Sequence, residues 1–308
     1  MGRLLTMWAP ILGLTLTLLG CSGAPATVPP RAGAAAVPQW DGTFGARPVN
    51  PRCHGSIDDP HPGDVICLSD MDDPLQITVG GTPSAPVTYS GTGETRVPGI
   101  HAEADNIVIQ GFLSDGAKDT GIWVSGENVT VQDNTITQVK YTDNDLDAMR
   151  FFGDGARILH NSVHDLEGSS DIGDSHVDCI QTFATSRPGS QDVVIQGNRC
   201  EGIRAQCLMA EGPNVDGGSR DGVSRNWVFE GNYCDAHAEA QSVSVQDIQN
   251  VRISHNEMAG QANKAFALGQ DSTGVVVTDD NKIGSGYKRA VGFDDPSVRN
   301  GYQGPPPE

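Results

Sequence analysis

The sequence predicts an all-β protein, a single-stranded right-handed parallel β-helix of about seven coils with an N-terminal cap. Three observations carry this. Two families of short apolar runs alternate along the chain, and an asparagine recurs at one place after the second family. The repeat is 22 residues at its shortest (Ile100 to Ile122) and 35 at its longest (Leu208 to Val243). Such periods belong to solenoids, because one coil cannot bury its own apolar face.

Residues 1–21 read as a lipoprotein export signal. Arg3 supplies the basic start, Leu4 to Leu19 is apolar, and Leu18-Leu19-Gly20-Cys21 reads as a lipobox with Cys21 as the acylated residue. An ordinary signal peptide cut near Ala24 to Ala26 is the alternative. Residues 22–50, rich in Ala, Pro and Gly, read as an extended, unpacked tether. The cap and first coil fall at 51–96, the repeats at 97–295 and a C-terminal tail at 296–308.

The first strand family includes Gly121-Ile122-Trp123-Val124, Ala148-Met149-Arg150-Phe151, Cys179-Ile180-Gln181-Thr182 and Cys207-Leu208-Met209-Ala210. Their second and fourth residues are apolar or small and point inward, as period-two alternation requires. The second family includes Val129-Thr130-Val131, Val193-Val194-Ile195 and Val251-Arg252-Ile253. Asn134, Asn161, Asn198, Asn232, Asn256 and Asn281 follow six members of that family, each with an apolar or sulfur residue two places on. One asparagine per coil builds a stacked amide ladder, so these residues are read as structural.

The chain holds 20 basic and 39 acidic residues, and the signal removes only Arg3 from that balance. A basic nucleic-acid footprint is absent. Acidity keeps an exported protein soluble and offers oxygen ligands to divalent cations. The expected partners are a polysaccharide and, through the lipid alone, a membrane. The protein is read as a monomer, lipid-anchored to the cell envelope or secreted.

The segments Pro62-Gly63-Asp64-Val65-Ile66-Cys67-Leu68 and Thr82-Pro83-Ser84-Ala85-Pro86-Val87-Thr88-Tyr89, with the coil pattern, resemble the pectate-lyase-type right-handed parallel β-helix superfamily. They are similar to the N-terminal cap and first coil of several of its polysaccharide lyases. The resemblance spans about residues 50 to 295. It implies the fold more than the chemistry, since β-helix proteins share coils and differ in reaction. The chain lacks a floor Lys where several such lyases keep a catalytic one (Lys264 stands two coils further), and it lacks the Asn-x-Phe-x-Gly-Lys pattern of the chondroitinase type.

Apart from Cys21, six cysteines remain, an even number that suggests disulfides in an exported chain. Cys179 and Cys207 hold one position in consecutive coils, and so do Cys200 and Cys234. Coils stack about 4.8 Å apart, within reach of a disulfide. The expected pairs are therefore Cys179–Cys207, Cys200–Cys234 and Cys53–Cys67, with reduced, stacked thiols as the alternative for the repeat-borne four.

Turn lengths locate the site. Four connections exceed the shortest coil, at 139–147, 165–178, 184–192 and 211–226, and they wall the strand at 178–183 on both sides. Loops that elaborate a regular scaffold are where such folds carry function. The candidate catalytic residues are His176, Asp178, Arg150 and Asp147. Gln181, Phe152, Phe183, Glu211 and Trp123 are the candidate substrate contacts, amides and charges for hydroxyls and carboxylates, flat rings for pyranose faces.

Three functions fit. A lyase acting on a uronate polymer must neutralise the sugar carboxylate, remove the neighbouring proton and release the glycosidic oxygen. Arg150 or a bound Ca²⁺ suits the first task, and His176, oriented by Asp178, the second. Asp143, Asp145 and Asp147 are the candidate Ca²⁺ ligands, with a solvated turn as the alternative for the first two. A hydrolase would use Asp147 and Asp178, one coil and so about 5 Å apart, yet the paired-Asp, Gly-His-Gly and Arg-Ile-Lys elements of β-helix polygalacturonases are missing. A non-catalytic carbohydrate-binding or adhesive solenoid needs only the groove. The lyase is the favoured expectation.

Overall fold

The structure, a computed structural model, describes residues 42, 45, 47–140, 147–166 and 177–307. Among the described residues there are 24 strands, one short 3-10 turn at Pro296–Arg299 and no α-helix. The strands form two long parallel sheets, of 15 and nine strands. This arrangement fits a parallel β-helix.

The nine-stranded sheet collects the first strand family. Ile100, Ile122, Met149, Ile180, Leu208, Val243, Phe266 and Val291 pair in register across it. All are at most 1% exposed and build one wall of the core. In the other sheet Ile109, Val131, Ile158, Ile195, Phe229, Ile253 and Val277 stack likewise. The apolar residues after the asparagines form a further row in that same sheet: Ile136, Val163, Cys200, Cys234, Met258 and Ile283. The sequence shows these two- to five-residue strands only as the ends of turns.

Each asparagine sits between two strands of a coil. Asn134 Nδ2 donates to Asn161 Oδ1 (3.1 Å), Asn161 to Asn198 (3.0 Å) and Asn198 to Asn232 (3.0 Å). Asn232 donates to Asn256 (3.0 Å) and Asn256 to Asn281 (2.9 Å). The same oxygens accept backbone N–H groups, for example Asn161 N–H to Asn198 Oδ1. The residue before each of the first five (Asp133, His160, Gly197, Gly231, His255) has a left-handed φ between 54° and 64°. That conformation turns the chain within one residue and costs least at glycine.

Two disulfide pairs differ from expectation. Cys53–Cys67 ties the cap, but the others are Cys179–Cys200 and Cys207–Cys234, each with Cα atoms 6.0 Å apart. Cys179 leads into the nine-stranded sheet, whereas Cys200 lies in the strand Arg199–Ile203 of the other sheet. The bond therefore crosses the core within one coil. Residues at one position of consecutive coils are close, but their Cα–Cβ vectors run parallel instead of facing each other, which a disulfide does not tolerate.

The last residues of the segment read as an unpacked tether are packed. Gly45 N–H donates to Gly197 O (3.3 Å), and a Cβ on Gly111 would fall 2.1 Å from Val49 Cγ2. At the far end, Gln303 covers the strand Val276–Val277, donating to Val275 O (2.9 Å) and accepting from Val277 N–H (2.8 Å). Those residues were read as a tail.

Candidate functional site

The outward face of the nine-stranded sheet forms a floor. Because side chains alternate along a strand, the residue after each core position points away from the core. His101, Trp123, Arg150, Gln181 and Met209 thus stand in one row across five consecutive strands. Ser125 and Phe152 pair in the next row, as do Phe183 and Glu211.

Rings run continuously over four of these strands. His101 stacks on Trp123 with centroids 4.1 Å apart, and Trp123 leans on Phe152 at 5.7 Å. Phe152 meets Phe183 edge-on at 5.1 Å. Two guanidinium groups lie on the stripe: Arg150 is 5.2 Å from the Phe183 ring, and Arg187 is 4.3 Å from Phe152 and 5.2 Å from Trp123. Phe152 is buried, while Trp123, Phe183 and Glu211 are partly exposed.

Asp147 and Asp178 do not lie on the floor surface. Both are fully buried at the lead-in to their strands. Asp147 Oδ2 accepts Arg150 Nε–H (2.8 Å) and Nη2–H, and its Oδ1 accepts Asp178 N–H (3.0 Å). Asp178 Oδ1 in turn accepts Gln206 N–H (2.6 Å). Each carboxylate thereby caps the backbone of the following coil, and Asp147 also fixes the direction of Arg150.

Gln181, at the centre of the row, is 4% exposed. Its Nε2 points at Met209 Sδ (3.7 Å), and its Oε1 has no hydrogen-bond partner among the described residues. A buried acceptor left unmade costs about 1–3 kcal/mol. His176, Asp143, Asp145 and Cys21 lie outside the described residues. Among the described residues, no group of three or more His, Cys, Asp and Glu side chains gathers as for a metal ion.

Arg187 is the residue that sequence reasoning missed. It stands in the lengthened turn 184–192, and its Nη1–H donates to Ser125 Oγ (3.0 Å), 62 residues back along the chain. The turn is held from the other insertion: Ser219 Oγ–H donates to Arg187 O (2.7 Å), and Ser219 N–H to Ala184 O (2.7 Å). A basic side chain inside an insertion flanking the floor was the available signal. Beside Arg187 opens a polar cleft of roughly 660 Å³, lined also by Thr78, Gly80, Glu103, Asp105 and Ser125.

No protein-family profile and no curated protein matches this chain. Solved structures with related coordinates include a lacto-N-biosidase from Eubacterium ramulus (11% identity, TM-score 0.34, 76% of this chain). An alginate lyase from Paenibacillus sp. matches at 15% identity and TM-score 0.33 over 80% of this chain and 93% of its own. The A-module of a mannuronan C-5 epimerase from Azotobacter vinelandii matches at 11% identity and TM-score 0.28 over 80% and 92%. The chain spans half the length of the lacto-N-biosidase. Likenesses this distant bear on neither activity nor substrate.

Proposed function

We propose that the floor binds an extended, uronate-containing polysaccharide and that the protein cleaves it as a lyase, by proton abstraction and β-elimination. The observation that supports this reading is the row itself: rings, guanidiniums and an unsatisfied amide oxygen follow one another at coil spacing along one sheet face. Trp123 and Phe183, both partly exposed, offer ring surface to the sugars beside the groups already stacked on them, and Gln181 Oε1 is the proposed acceptor of a sugar hydroxyl. Arg150 faces the uronate carboxylate, with Asp147 as its positioning residue. His176, two residues before Asp178 in sequence, is the proposed base. Asp143 and Asp145 are the proposed Ca²⁺ ligands should a cation share the neutralising task.

Burial of Asp147 and Asp178 against backbone N–H groups speaks against a hydrolase built on that pair. A non-catalytic binder is the second reading, because the ring stripe and Gln181 serve adhesion without any base. Three disulfides fit an oxidising compartment. No helix among the described residues is long and apolar enough to cross a membrane. The protein is further proposed to be a right-handed, lipid-anchored solenoid of about seven coils.

The test incubates the protein with polygalacturonate, alginate and chondroitin, with and without chelator, and follows absorbance of the unsaturated product. Growth of absorbance on one polymer, abolished in His176→Ala, is expected. Reducing ends without absorbance would refute elimination. Binding that weakens in Trp123→Ala without turnover would leave the adhesive reading.

A further inference from the structure

Arg187 is a partly buried cation whose partners among the described residues are neutral. Its guanidinium lies over the Trp123 and Phe152 rings and gives one N–H to Ser125 Oγ. Arginine carries five N–H donors in a planar fork. The acidic neighbours in the cleft are otherwise engaged. Glu103 Oε1 lies 3.4 Å from His101 Nε2, and Asp105 Oδ1 accepts Glu127 N–H (2.7 Å). Neither forms an ion pair with Arg187 among the described residues. Its placement is also held on two sides, by the rings beneath it and by Ser219 behind it.

We propose that Arg187 recognises the carboxylate of a sugar seated in the adjoining cleft. The cleft is then an acid-reading subsite beyond the Trp123 end of the floor, with Glu103 and Asp105 as acceptors for that sugar's hydroxyls. This rests on the glycan-binding reading of the floor. The fork matches a planar carboxylate in two parallel hydrogen bonds. Arg187 lines the cleft, and its stacking on the rings reduces the rotamer freedom lost on binding. The cleft lies past the strand Ile122–Ser125, so its occupant is one or more sugars removed from Gln181.

Binding is measured by calorimetry on the full chain carrying His176→Ala, so that turnover does not intervene. The probes are galacturonate and alginate oligomers, their carboxyl-reduced counterparts, and dextran sulfate. Arg187→Ala should weaken a bound carboxylated oligomer on the order of tenfold to a hundredfold and leave its reduced counterpart unchanged. Arg187→Lys should recover part of the loss. Unaltered melting temperatures confirm folding. Equal losses on carboxylated and reduced oligomers, or none on either, would overturn the acid-reading role. If Trp123→Ala weakens both oligomers while Arg187→Ala weakens neither, the floor stands and the inference falls. Arg187-dependent binding of dextran sulfate alone would reassign the cleft to sulfate, and failure of every probe would remove the floor and the inference together.

Discussion

Replacing Asn198 by alanine tests whether the asparagine column holds the coils together. Asn198 is fully buried. Its Oδ1 accepts the backbone N–H of Asn161 (3.0 Å) and the Asn161 side-chain amide (3.0 Å), while its own Nδ2 donates to Asn232 Oδ1 (3.0 Å). Truncation strands a buried backbone N–H, which costs about 1–3 kcal/mol, and removes four side-chain hydrogen bonds at about 0.5–1.5 kcal/mol each. These are the bonds with Asn161 and Asn232 and those donated to Ile158 O (2.8 Å) and Gln196 O (3.3 Å). The expected loss is about 3–9 kcal/mol, a large share of the 5–15 kcal/mol that holds typical proteins folded. Asn281, at the end of the column and partly exposed, supplies the control. Its truncation leaves Asn256 N–H near solvent and should cost about 1 kcal/mol. Urea unfolding with an unchanged m-value measures both. A loss below about 0.5 kcal/mol at Asn198, or equal losses at both positions, would refute a cooperative column.

Non-reducing proteolysis should release peptides joined through Cys179–Cys200 and Cys207–Cys234, and the Cys179→Ala/Cys200→Ala variant should lose about 3–4 kcal/mol by loop-closure entropy; a Cys179–Cys207 peptide would contradict the cross-core arrangement. Burial raises the phenol pKa values of Tyr89, Tyr233, Tyr287 and Tyr302, and the last, with the charge of Asp279 adding, reaches about 12. The unfolded chain releases these protons near pH 10, so their contribution is complete below about pH 10 and is lost as pH rises toward 12. Thermal midpoints should be flat up to about pH 10 and fall beyond it, and ordinary tyrosine titration at about pH 10 in the folded protein would count against this.

Much of the scaffold was legible because a repeat multiplies a weak local signal. Ile122, Met149 and Ile180 look unremarkable alone, but three turns of the same pattern locate a stacked wall. What failed were inferences that needed direction as well as proximity. Cys179 and Cys207 are neighbours in register, yet their side chains run parallel, so each bonds across the core instead. The strand around Cys200 is too short, and follows an asparagine corner too closely, to show as an alternating run. Site residues divided along a similar line. Trp123, Arg150 and Gln181 follow from alternation alone. That Asp147 and Asp178 face backbone amides was not visible, because a carboxylate at a strand lead-in looks alike whether it is solvated or buried. Arg187 depends on a contact across 62 residues, which no local pattern encodes.

The short stretch around Gln303 has a wider consequence. Every coil offers the next the same row of N–H and C=O groups, so the stack contains no internal instruction to stop. A second molecule presenting such a row would serve as well as another coil. By occupying Val275 O and Val277 N–H, Gln303 uses up that template on one sheet. The charged Lys288 and Arg289 on the last strand of the other sheet, Gly286–Phe293, make its open side a poor surface for growth. A few residues of irregular chain thereby leave that end of the stack less template for a further strand to join.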